Sequence, residues 1–189
     1  MKVGFVSFHS FFMEGGVKTH ILSLEKEYTK KGIDCRIIAP RRNSKEQYKE
    51  NITLLGTSFP ITFLGTQADL CVSFDPFSIS NYLEKEKFDV LHFHNMGIPI
   101  TWQFLKKSKA LNILTFHASL DGSALIKNFP QIITPYKKVA RGFDGIIGVS
   151  SVAMKHFADS PKPHEIIPNG IDLNRFNPSK PKVDKFLDG

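Results

Sequence analysis

Short apolar runs alternate with longer stretches in which apolar residues recur every three or four positions. Lys2 to Phe8 (KVGFVSF) is such a run and predicts a buried strand. A loop follows over His9 to Gly16. From Val17 to Lys31 the apolar residues fall at Val17, Ile21, Leu24 and Tyr28, which is the spacing of one helix face, and Gly32 supplies a stop. Ile33 to Ala39 reads as a second strand, ended by Pro40. Arg41 to Glu50 is polar and predicts a loop or a short exposed helix. Asn51 to Leu64 is rich in β-formers but broken by proline, and predicts one or two short strands. Asp75-Pro76 can open a helix that runs through Phe77 to Lys87.

The second half repeats the alternation. Asp89 to His94 predicts a strand, with Asn95-Met96-Gly97 as the loop behind it, and Ile98 to Lys109 a helix. Asn112 to Phe116 is another strand, ending at His117. Ser119 to Pro130 is irregular, and Gln131 to Phe143 is helical. Gly145 to Val149 is a strand, Ser150-Ser151 caps a helix over Val152 to Ala158, and Glu165 to Ile167 closes as a short strand. Strand and helix alternating in this way predict an α/β domain built on a doubly wound, mostly parallel sheet covered on both faces. Residues 1–176 form the expected domain. From Asn177 the chain turns polar and proline-containing, so 177–189 reads as the start of a linker.

Composition narrows the class. The 189 residues, 41% hydrophobic and 23% charged, suit one soluble domain with a full core. No apolar run approaches the ~20 residues that a membrane-spanning helix needs, and the N-terminus lacks signal-peptide organisation. Cys35 and Cys71 have no CxxC spacing; two free thiols of a reducing compartment are the simplest reading, with a disulfide between them as the alternative. No metal-site spacing is found among the cysteines, histidines and acids. A net charge of +7 favours anionic partners without choosing among them.

In such sheets ligands bind beyond the carboxyl ends of the strands, so the loops after the strands are the place to look. Gly15 and Gly16 stand directly before a helix. Glycine lets a ligand approach the backbone, and a helix start offers unpaired N–H groups to a phosphate or other anion; an empty tight turn fits the same residues. The spacing is neither GxGxxG nor a Walker A loop. His92 and His94 share one strand face. His92 is expected in a hydrogen-bonded core position and His94, nearer the loop, in the cleft. His117 ends a strand where ligands bind. Lys137, Lys138 and Arg141 share a helical face, either as a solvated surface or as a patch for lipid headgroups.

Five segments taken together resemble one family. They are GGVKTH at 15–20, DVLHFHN at 89–95, LTFHAS at 114–119, GIIGVSSVA at 145–153 and IIPNGIDLNRFNP at 166–178. The chain is similar throughout to the N-terminal half of a glycosyltransferase of family 4, a GT-B enzyme. TFHAS and Thr134-Pro135-Tyr136 resemble the phosphatidylinositol mannosyltransferase branch.

The resemblance implies a Rossmann-like, acceptor-side domain that faces a donor-binding domain across a cleft. It implies retaining, metal-independent transfer of a sugar from a nucleotide-sugar donor to a glycan or lipid acceptor, with no cofactor and no nucleic acid partner. Gly15, Gly16 and Lys18 would then border the donor diphosphate, with His20 flanking the cleft. His117 would meet the donor sugar as the catalytic residue. His94, Asn95 and Ser119 would face the acceptor side, and Asn169, Gly170 and Asp172 would shape the interdomain hinge. The family's donor-binding acids and bases belong to a second domain, so the isolated domain is expected to be inactive. A cytoplasmic location is expected, with peripheral contact at the inner face of the membrane. Two other readings stay open on the residues alone: a stand-alone acceptor- or lipid-binding module, and a GT-B sugar-nucleotide epimerase.

Overall fold

The computed structural model describes residues 1–63, 66–118, 131, 134–173 and 176–177. The elements run in the expected order: β1 Lys2–Ser7, α1 Gly16–Lys30, β2 Asp34–Arg41, β3 Ile52–Phe63, β4 Thr66–Val72, α2 Ser78–Glu86, β5 Val90–His94, α3 Ile100–Lys107 and β6 Leu111–Phe116. Then come α4 Thr134–Ala140, β7 Gly145–Gly148, α5 Ser151–Met154, a 3-10 turn Lys155–Phe157, and β8 His164–Ile166. The eight strands form one sheet in the order β4-β3-β2-β1-β5-β6-β7-β8. Among the described residues every pairing is parallel except β3 with β4. The winding reverses between β1 and β5, and an open α/β sheet parts its loops into a crevice at such a reversal.

The two sheet faces bury separate sets of side chains, as a period of two demands. Val3 and Phe5 of β1, with Ile37 of β2, pack under Ile21, Val17, Leu24 and Tyr28 of α1. Val6, Leu91, Phe93 and Leu114 point the other way, against Ile79, Ile100, Phe104 and Phe143. His92 and His94 share the α1 face, with ring centroids 5.7 and 5.9 Å from Phe5.

Several boundaries differ from the expected ones. Pro40 does not end β2. The strand continues to Arg41 with a register shift between Ala39 and Arg41, an irregularity that suits a residue with no N–H to give the ladder. β3 is twelve residues long and turns into β4, a strand absent from the sequence reading. Asp75-Pro76 forms a turn in place of a helix start: Asp75 Oδ1 accepts from the Phe77 N–H at 2.8 Å, and α2 begins at Ser78. The third helix begins only after Pro99, and the fourth covers Thr134–Ala140 of the expected Gln131 to Phe143. Ser150 caps α5 as expected, its hydroxyl accepting from the Ala153 N–H at 3.2 Å. The irregular stretch 119–130 and nearly all of 177–189 lie outside the described residues.

Candidate active site

The loops after β1, β5 and β6 converge at the winding reversal. His117 follows β6 and is half-buried; its N–H donates to Asn95 Oδ1 at 2.7 Å. Asn95 sits at φ 67, a left-handed conformation that asparagine tolerates better than most residues, and its Nδ2 lies 3.4 Å from His9 Nε2. Thus Asn95 ties the three loops together. His94, one residue back, is wholly buried at 0% exposure, so it lies behind the cleft surface. Its Nδ1 lies 3.2 Å from His117 Nε2, and its Nε2 has no hydrogen-bond partner. His20 reaches in from α1, its ring centroid 4.9 Å from His117 and 5.4 Å from His94. His92, two residues before His94 along β5, is buried and bonds Thr115 Oγ1 at 2.7 Å, as expected of a core histidine.

Burial disfavours the charged form of each ring. It pushes His117 down to about 4, with repulsion from His20 and His9 adding to the effect. His92 is lowered to about 4 by burial and then by His20 and His117. Burial lowers His20, and holds His94 well below the ordinary histidine value. The site therefore presents uncharged imidazoles at neutral pH, able to accept or donate hydrogen bonds to hydroxyls.

His9 also lines a cavity of about 290 Å³, together with Ser10, Gly15, Gly16, Arg42 and Asp69 among others. Gly15 is the extended residue before α1, and Gly16 the helix's first. Neither has a left-handed φ, and a Cβ added at either would meet nothing within 4 Å. The fold itself therefore does not require glycine there. The helix start has no side-chain cap and no acid in its first turn, which leaves it attractive to an anion. Lys18 lines the same cavity, but its ammonium is turned onto the Phe11 carbonyl at 2.9 Å and Glu14 at 2.6 Å, so it staples the loop to the helix.

The far wall was not foreseen from sequence. Asp69, on β4, accepts from the Ser10 N–H at 3.3 Å, approaches His9 Nδ1 at 3.4 Å and pairs with Arg42 at 3.2 Å. Burial opposes its ionisation, but the contact with His9 and the Arg42 charge prevail and hold the carboxyl below its ordinary value. Glu46, buried, accepts from the Arg42 N–H at 2.7 Å and the Tyr48 hydroxyl at 2.9 Å, which shapes the loop carrying Arg42. His20 had a readable signal, one helical turn beyond Gly16. Asp69 had none without β4.

The remaining candidates are placed apart from this cluster or are not placed. Asn169, Gly170 and Asp172 are exposed on the segment after β8. Ser119 lies outside the described residues. Lys137 pairs with Asp159 at 2.9 Å on an exposed surface. A second cavity, about 430 Å³ and lined by Leu83, Phe88, Leu91 and Ala110, lies at the opposite end of the strands.

Comparison with known proteins places this arrangement. The profile of Glycosyltransferase Family 4 matches residues 14–175. The chain belongs to this family. Among curated relatives, a phosphatidyl-myo-inositol mannosyltransferase of Mycolicibacterium smegmatis is 28% identical over 93% of this chain and 45% of its own length. One of Propionibacterium freudenreichii is 31% identical over 92% of the chain and 47% of its length. The chain thus spans about half the length of the curated relatives it matches. Solved structures agree on the fold. An alpha-glucosyltransferase in complex with UDP and DNA aligns at TM-score 0.56 with 12% identity, over 93% of this chain and 42% of that one. MurG of Acinetobacter baumannii aligns at 0.52 with 11% identity, over 86% and 44%. This family 4 domain is therefore a Rossmann-like GT-B domain.

Proposed function

We propose that this domain is the acceptor-binding half of a retaining, metal-independent hexosyltransferase that uses a nucleotide-sugar and a lipid or glycan acceptor. The observation that carries the reading is the pair Gly15-Gly16 at an uncapped helix start, opening on a cavity lined by His9, which Asn95 ties to the uncharged His117. The two glycines leave room for a diphosphate against the backbone, and His117 stands ready to hydrogen-bond a hydroxyl of the transferred sugar. Asn95 holds His117 in place, and Asn169, Gly170 and Asp172 belong to the turn toward a donor-binding domain. The groups that would neutralise the departing diphosphate are then supplied by that domain, and by itself this half binds donor weakly and does not turn over.

A lipid acceptor is supported by the relatives, which are phosphatidyl-myo-inositol mannosyltransferases, and by a surface feature of this chain. Phe59 and Phe74 stack edge to face, with ring centroids 6.2 Å apart, and stand exposed together with Phe77. Aromatic rings on a protein of net charge +7 suit a bilayer interface with anionic headgroups. No helix among the described residues is long and apolar enough to cross a membrane, so the contact proposed is peripheral.

Two measurements test the reading. Calorimetry of the isolated domain with nucleotide-sugars should show no micromolar complex, and a micromolar affinity would contradict the division of labour. In a transferase-competent protein carrying this domain, His117→Ala should lower turnover about 100-fold or more while the melting temperature moves by no more than a few degrees. Equal loss of both would return His117 to a structural role.

A further inference from the structure

His20, His94 and His117 each present one ring nitrogen to a common point, and these three atoms lie within 4.8 Å of one another. They come from three separate elements: helix α1, the end of β5 and the residue after β6. The closest pair is the most telling. Metal–nitrogen bonds of about 2.0–2.1 Å at a tetrahedral ion put two ligand nitrogens about 3.3 Å apart. His94 Nδ1 and His117 Nε2 are 3.2 Å apart.

The polar accounting at His94 marks the ring as more than core filling. The ring is wholly buried, and its Nε2 has no partner. If Nδ1 carries the proton, Nε2 is a buried lone pair without a donor. If Nε2 carries it, a buried N–H lacks an acceptor. Either tautomer leaves one nitrogen unsatisfied, a cost that folded proteins seldom keep without a use for the group. An ion held at Nδ1 would fix the proton on Nε2, so the orphan atom marks His94 as no ordinary core histidine, while the ligand geometry rests on Nδ1 and its neighbours.

We propose that His20, His94 and His117 form a binding site for a zinc-type divalent metal ion, with an open fourth position on the cleft. Imidazole ligands select the borderline ions, Zn²⁺, Co²⁺, Ni²⁺ and Cu²⁺, over Mg²⁺ or Ca²⁺. Three histidines with one open position are a known way of holding zinc. His20 closes the remaining gap by turning about its side-chain torsions. Sugar transfer as proposed above needs no metal. On that reading, an ion seated here takes up the His117 ring that would meet the donor, so it blocks transfer. The binding itself does not depend on that reading.

Metal titration of this chain tests the site without reference to catalysis. Cobalt chloride added to metal-stripped protein should give a one-to-one complex with the intense visible absorption of four-coordinate cobalt, and zinc should displace it. His20→Ala and His117→Ala should each weaken zinc binding about tenfold or more. His164→Ala, at an exposed histidine bonded to the Lys162 carbonyl, should leave it unchanged. Circular dichroism checks that each variant folds. Histidine-selective NMR of the unsubstituted chain gives a readout that needs no variant: zinc must shift or broaden the signals of His20, His94 and His117 and spare His164. Failure of zinc to form a saturable complex, binding that survives His117→Ala in a folded variant, or a pale six-coordinate cobalt spectrum would each overturn the proposal.

Discussion

Asn95 uses each end of its amide on a different loop while holding a left-handed backbone. The two demands can be separated. Asn95→Gly keeps the conformation and loses the side-chain bonds, whereas Asn95→Ala loses both. Urea unfolding should show the alanine variant about 2 kcal/mol less stable than wild type and the glycine variant about half as affected. The thiols give a second residue-scale expectation. Cys71 is wholly buried, donates to the Phe8 carbonyl, and burial pushes its thiol up to about 12; burial also raises Cys35. Both cysteines are free, as the sequence indicated. Neither should react with iodoacetamide at pH 8 in the native protein, and both should react in urea. At this scale the sequence was informative where position along a strand decides the environment. His92 and His94 alternate with Leu91 and Phe93, so a shared face could be read. That the shared face also receives His20 could not, because this depends on how α1 lies across β1 and β5.

Elements whose partners are close in sequence were the most legible. The β1-α1-β2 unit follows from the spacing of Val17, Ile21, Leu24 and Tyr28. Helix starts next to proline were misplaced, since Pro76 and Pro99 sit in turns whose geometry depends on tertiary neighbours. The edge hairpin was the largest omission. β4 pairs antiparallel in a sheet otherwise parallel, and no local pattern announces that reversal. The hairpin brings Asp69 to the cavity wall, and a pH effect follows. A carboxyl held below its ordinary value adds stability that is full above that value, 3.8, and is lost as pH falls through the lower folded value. Asp69→Asn should therefore lower stability by about 1–2 kcal/mol at pH 7, with the gap to wild type closing in acid. A packing prediction belongs to β7. A Cβ at Gly148 would come within 3.0 Å of the Met154 backbone nitrogen and 3.1 Å of its Cα, so Gly148→Ala must push α5 off the sheet, costing about 1–3 kcal/mol in thermal unfolding.

For the whole molecule, the sheet carries a core on each face, and the crevice between β1 and β5 gathers the histidines and glycines at one rim. Phe59, Phe74 and Phe77 lie on the hairpin side, on β3 and in the turns after β4. If these surfaces meet a bilayer as proposed, the domain should sediment with liposomes containing phosphatidylinositol. It should do so less with neutral ones, and the difference should fade as salt screens the headgroups. Replacing Phe74 and Phe77 by serine should weaken sedimentation while leaving the melting temperature unchanged, since both side chains are already in water at 73% and 67% exposure.

The hydrogen bond from the Ser10 N–H to Asp69 spans 59 residues. It joins the loop after β1 to the antiparallel strand β4, and so it has a consequence in time. During synthesis β1 and α1 leave the ribosome early, yet the loop between them cannot take its final shape until β4 has emerged and folded back. Amides of residues 9–18 should gain protection from hydrogen exchange late in refolding, together with those of β4 and after those of α1. The loop between β1 and α1, though made before β4, is among the last parts of the domain to be finished.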